Sequence, residues 1–120
     1  MRPATFKITL DGSYEVWKFG LSGGEQQMCA LGRGMMASPV LLMVDEMSLG
    51  LAPVLVEQLL AALTKLRETG TTLLIVEQDV ELALEAADRG YVLETGHVRM
   101  TGPAREILHD PAIRTAFLGL

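Results

Sequence analysis

The sequence is short of several features that would each have marked a function class. It holds one cysteine, Cys29, so no internal disulfide can form and a reducing compartment suits it. Aromatic residues make up only 5% of the chain, which leaves Leu, Val, Ala and Met to build the core. No apolar run reaches the length of a membrane-spanning helix. Residues 1–10 contain no apolar stretch of the kind a signal peptide carries, so none is expected. The net charge is −5, and nothing resembles a basic stripe: Lys7 and Lys18 stand alone, while Arg89, Arg99, Arg105 and Arg114 are scattered among acidic residues. That distribution argues against nucleic-acid binding and reads as an ordinary solvated surface. Repeats, linkers and low-complexity stretches are lacking as well.

What the chain does have is apolar content. Hydrophobic residues reach 49% and the mean hydropathy is +0.30, over a length of 120 residues that can bury a core without metals or disulfides. This excess implies either a parallel sheet buried on both faces or a surface meant to be covered by something else.

Two textures follow one another along the chain. Thr5-Phe6-Lys7-Ile8-Thr9-Leu10 and Tyr14-Glu15-Val16-Trp17-Lys18-Phe19 alternate apolar and polar residues around Asp11-Gly12-Ser13. This is the pattern of a β-hairpin, since Asp-Gly accepts the positive φ of a tight turn. Residues 1–20 are therefore set apart from residues 21–120, where strands and helices alternate. Ser22 and Glu25 have capping-box spacing and open a helix expected over residues 24–37, stopped by Pro39. Val40-Leu41-Leu42-Met43-Val44 and Thr71-Thr72-Leu73-Leu74-Ile75-Val76 read as strands buried on both faces of a parallel sheet. Between them, Pro53 starts a helix with Leu55, Leu59, Leu63 and Leu66 on one stripe, closing at Gly70. That length suits a right-handed βαβ crossover. Asp79 is placed to cap a third helix, residues 90–94 and 97–100 form a hairpin turning at Thr95-Gly96, and Gly102-Pro103 and Asp110-Pro111 introduce two short terminal helices.

Three segments carry chemistry. Leu21-Ser22-Gly23-Gly24-Glu25-Gln26-Gln27 puts two glycines in the first turn of a helix, where each costs helix stability and leaves backbone N–H groups open to an anion. A plain cap accounts for Ser22 with Glu25, but not for both glycines, so something is expected to come close. Leu41-Leu42-Met43-Val44-Asp45-Glu46 delivers two adjacent carboxylates at the C-terminal edge of a strand, where α/β proteins bind ligands. An Asp-Glu loop after a core strand is a common structural alternative. Glu77-Gln78-Asp79 ends the second strand at the same edge, with Asp79 read as a helix cap.

Taken with Ser48-Leu49-Gly50-Leu51, these segments resemble the signature motif, the Walker B strand and the D-loop of ABC-type ATPases, in that superfamily's order and spacing. The resemblance covers residues 21–120. It implies an α/β fold: a partial P-loop NTPase (RecA-like) core, three-layered with parallel strands and lacking the half that carries the P-loop. Within the superfamily, Ser-Leu-Gly-Leu-Ala-Pro, Val-Glu-Gln and Ala-Asp-Arg-Gly-Tyr-Val-Leu-Glu-Thr-Gly are similar to the ATP-binding subunits of bacterial branched-chain amino acid importers. The resemblance implies ATP and Mg2+ as cofactors, with Asp45 holding Mg2+ through water and Glu46 as catalytic base. Ser22, Gly23, Gly24 and Gln26 would bind ATP held on an opposite subunit, and Gln78 would fill the place of the switch histidine as a hydrogen-bonding group only. It further implies a second ATP-binding subunit, membrane permease subunits, indirectly a substrate-binding protein, and a peripheral place on the cytoplasmic face of the membrane.

The pattern also breaks. Met47 stands where the superfamily usually has proline, and Cys29 and Gly34 replace the usual alanine or leucine in the signature helix. No G-x-x-x-x-G-K-[ST] occurs, so the phosphate-cradling loop and its lysine are absent from these residues. Residues 1–20 do not look like what precedes the signature; an alternative start, a frameshift or a fusion scar would each produce them. An exposed apolar sheet edge is expected in consequence. Three functions stand open on this reading: part of an importer ATPase inactive by itself, a module lending its signature to a partner in trans, and a truncated product without function.

Overall fold

The computed structural model describes residues 22–119 throughout and, before them, the backbone of Lys7–Ile8 (β1) and Tyr14–Glu15 (β2). These two short strands pair antiparallel, with Lys7 opposite Glu15 and Ile8 opposite Tyr14. The remainder of the hairpin expected over residues 5–19, its Asp11-Gly12-Ser13 turn included, lies outside the described residues.

Helix α1 (Gly23–Met35) starts because Ser22 is extended and its side chain satisfies a backbone donor that the helix itself leaves free. Ser22 Oγ accepts from the Glu25 N–H at 3.3 Å, and Glu25 Oε2 accepts from the Ser22 N–H at 2.8 Å. The helix ends two residues short of the expected boundary. Ser38 turns left-handed at φ 48° just before Pro39, and its N–H closes onto the Met35 carbonyl.

Strand β3 (Leu41–Asp45), helix α2 (Pro53–Glu68) and strand β4 (Thr72–Val76) form the expected crossover, with β3 and β4 parallel. Pro53 at the helix start gives up an N–H that would have no helical partner, and Gly70 at φ 93° lets the chain turn back toward β4. Leu42, Val44, Leu73 and Ile75 face Leu31 of α1 and Leu59 and Leu63 of α2, and this is the larger core. Helix α1 lies so close to β3 that a Cβ on Gly34 would stand 2.8 Å from Leu42 Cδ1.

The burial expected on both faces of β3 and β4 is found on one. The register puts Leu41, Met43, Leu74 and Val76 on the side away from the helices, exposed by 49%, 71%, 47% and 53%. Both packing helices lie on the same side, and among the described residues nothing covers the other. The parallel apolar pair is thus half of a layered arrangement.

Helix α3 (Val80–Ala86) is capped by Asp79, whose Oδ1 accepts from the Leu82 N–H at 3.0 Å. Strands β5 (Arg89–Glu94) and β6 (His97–Pro103) form the second hairpin, turning at Thr95 (φ 50°) and Gly96 (φ 78°) as expected. Helices α4 (Ala104–His109) and α5 (Pro111–Phe117) follow. Leu84, Ala104, Ile107 and Ile113 make a second core beneath the hairpin. Arg67 of α2 ties the two parts together by donating to the Ala86 carbonyl at 3.0 Å, 3.5 Å from the Asp88 carboxylate.

Candidate functional site at the carboxyl edge of the parallel strands

A parallel βαβ unit presents the ends of its strands and the loops after them at one edge, so residues distant in sequence meet there. The backbone ladder runs one residue past β3: the Glu46 N–H donates to the Val76 carbonyl at 2.8 Å. Glu46 then turns left-handed at φ 46°. For a side chain with a Cβ this conformation costs about 1 kcal/mol, and such strain gathers at functional positions. The turn is closed by the Leu49 N–H on the Glu46 carbonyl at 3.3 Å, and a second by the Leu51 N–H on the Ser48 carbonyl at 3.1 Å. Met47, at 7% exposure, anchors the loop in the larger core.

Its conformation brings two candidate residues together. Gln78, two residues past β4, donates from Nε2 to Glu46 Oε1. Asp45 lies beside them, exposed at the end of β3 and paired in register with Val76. Glu77, for which no role was expected, accepts from the Ser48 N–H at 3.1 Å and from Ser48 Oγ–H at 2.8 Å. Its one sequence signal was a carboxylate ending an apolar strand at the edge where Asp45 and Glu46 also emerge.

The signature residues form a second group. Ser22 and Glu25 bond to each other rather than to the carboxylates of the sheet edge. Ser22, Gly23 and Gln26 are exposed, but Gly24 is buried beneath Leu55 of α2. The close approach expected at the two glycines therefore separates: at Gly24 the neighbour is a leucine of this chain, and only Gly23 stays open. Gly23 borders the carboxylate loop, since a Cβ there would sit 3.8 Å from Leu51 Cδ2.

The donor set bears on the divalent cation the resemblance implies. Among the described residues no group of three or more His, Cys, Asp and Glu side chains could hold a metal ion. An exposed Asp45 next to Glu46 fits instead a cation that keeps most of its water and takes its other ligands from phosphate, as Mg2+ does.

No protein-family model matches the chain. It is nonetheless 46% identical over 106 residues to the high-affinity branched-chain amino acid transport ATP-binding protein BraG of Pseudomonas aeruginosa, covering 88% of this chain and 46% of that protein. Its backbone also follows the dimeric post-hydrolysis structure of the ATP-binding cassette MJ0796 bound to ADP and Pi, with a TM-score of 0.65 and 26% identity over 82% of this chain and 42% of that one. The chain belongs to the family of ABC transporter ATP-binding proteins and folds as part of their ATP-binding cassette. It spans less than half the length of the relatives it matches. The lipopolysaccharide export system ATP-binding protein LptB of Haemophilus influenzae is 29% identical over 99 residues, covering 82% of this chain and 41% of that protein. Among the described residues no helix is long and apolar enough to cross a membrane.

Proposed function

We propose that these residues are the C-terminal portion of an ATP-binding subunit that powers import of branched-chain amino acids by ATP hydrolysis, and that they do not hydrolyse ATP by themselves. The observation that carries this reading is the left-handed Glu46, whose carboxylate accepts from Gln78 at the carboxyl edge of parallel strands. A carboxylate so held can accept the proton of a water attacking a phosphoryl group. Gln78 cannot gain a proton as a histidine would, so its part is to hold the Glu46 carboxylate by hydrogen bonding. Asp45 would hold Mg2+ through water, and the cation would neutralise phosphate charge.

Ser22, Gly23, Gly24 and Gln26 would serve an ATP held on a second subunit. Ser22 and Gly23 are exposed at the start of α1 and can meet it directly; the buried Gly24 would act by letting α1 seat on α2. MJ0796, seen as a dimer with ADP and Pi, supports the two-subunit part of the proposal. The remaining partners proposed are membrane permease subunits and, indirectly, a substrate-binding protein, at the cytoplasmic face of the membrane. Branched-chain amino acids are favoured over lipopolysaccharide because identity is 46% to BraG and 29% to 33% to LptB proteins.

The test measures ATP turnover by the 120-residue chain alone and after mixing with an importer subunit that has a P-loop. No turnover alone, and a rise in the partner's turnover that is removed by Gly23→Asp in this chain, which sets a negative charge at the exposed start of α1, is the expected result. Turnover by the chain alone would overturn its dependence on a partner. An unchanged partner rate would remove the role in trans.

A further inference from the structure

Glu77 is a carboxylate at the sheet edge that neither the proposed chemistry nor a helix cap uses, and its two oxygens are engaged by a single residue. Oε1 accepts from the Ser48 N–H at 3.1 Å and Oε2 from Ser48 Oγ–H at 2.8 Å. Both residues are half-buried, which weakens competition from water. Twenty-nine positions separate them, so the contact joins the loop after β3 to the end of β4. Bonds to an ionised acceptor are stronger than neutral ones, and a two-point contact fixes orientation as well as distance.

Glu77 lies between two constraints. On one side Ser48 follows Glu46 by two residues, inside the turn that the Leu49 N–H closes on the Glu46 carbonyl. On the other, Gln78 is its chain neighbour and donates to Glu46 Oε1. We propose that Glu77 is a positioning residue: by clamping Ser48 it fixes the loop that carries Glu46 and sets Gln78 onto the Glu46 carboxylate. The placement of these side chains is made by hydrogen bonds within this chain. Its consequence for turnover rests on the proposed function.

The test has two arms. In the 15N-labelled chain, Glu77→Ala raises the amide exchange rate of Ser48 about tenfold or more and moves the side-chain amide resonances of Gln78 toward those of a free glutamine. Glu77→Gln keeps an acceptor oxygen and gives an intermediate result. Should Glu77→Ala fail to fold, Ser48→Ala removes the hydroxyl contact alone and shifts the same Gln78 resonances in part. Unchanged Gln78 resonances in a folded Glu77→Ala chain, with β5 and β6 amides as in the parent, overturn the proposal, because a merely structural tie would loosen Ser48 without reaching Gln78.

With a P-loop half joined to this chain in one polypeptide, Glu77→Ala lowers kcat about tenfold and leaves KM for ATP unchanged, and Glu77→Gln restores part of it. Full turnover in Glu77→Ala overturns the link to chemistry. Absence of turnover in the unsubstituted joined chain counts against the proposed function, and the resonance comparison still decides the placement.

Discussion

Replacing Gly24 by alanine asks whether this glycine serves ligand approach or packing. A Cβ at that position would stand 2.5 Å from Leu55 Cδ1, 2.9 Å from Cδ2 and 3.0 Å from Cγ. Carbon atoms pack at about 3.5–4.0 Å, so all three contacts are overlaps. The branch carbon is among them, so turning one methyl aside does not clear the site; α1 must rise from α2 or Leu55 must leave its rotamer. Overpacking of this kind costs about 1–3 kcal/mol. Alanine returns up to about 1 kcal/mol of helix propensity, less in a first turn. The net expectation is a loss of about 1–2 kcal/mol, read as a lower urea midpoint with an unchanged slope. Gly23→Ala is the control, since its nearest neighbour is Leu51 Cδ2 at an ordinary 3.8 Å, and its midpoint should stay within about 0.5 kcal/mol of the parent. The cycle with Leu55→Ala decides the cause: once the leucine is truncated, Gly24→Ala should lose its cost, a coupling of about 1 kcal/mol or more. An equal loss in both backgrounds, or none in either, would refute the packing argument.

Three further outcomes follow from the same geometry. Thr95, β-branched at φ 50° ahead of Gly96, occupies a turn position that asparagine tolerates better, so Thr95→Asn should raise stability by about 0.5–1 kcal/mol in thermal melts. Gly32 is exposed inside α1, and a Cβ added there would meet nothing within 4 Å. Gly32→Ala should therefore stabilise by up to about 1 kcal/mol, whereas Gly34→Ala, facing Leu42, should not. Met43 is 71% exposed, so Met43→Ser should cost under about 0.5 kcal/mol in urea titration; a loss of about 2 kcal/mol or more, usual for a core methionine, would mean that this face is covered.

Legibility in the sequence followed the range of the interaction. The start of α1, the cap at Asp79, the proline at the head of α2 and the turn at Thr95-Gly96 each depend on residues within a few positions of one another, and each was readable. The βαβ unit was readable too, because two apolar runs separated by a helical stripe leave few arrangements. Gly24 under Leu55 and Glu77 on Ser48 were not, since both depend on how loops and helices settle after the strands have paired. The left-handed Glu46 was hidden for the same reason: no residue near it demands that conformation, and the fold as a whole imposes it.

The open face of β3 and β4 departs from expectation for a different reason. A continuous apolar run tells how a strand would be used with both faces covered, and Leu41, Met43, Leu74 and Val76 have the composition for that. Periodicity cannot report whether the covering layer is supplied by the same residues. In this chain the helices settle on the side of Val44 and Ile75, and that is enough to fix the register. The register in turn brings Glu46, Glu77 and Gln78 to one edge. The candidate site is therefore organised from the packed face of the sheet, whose register sets where its internal bonds lie.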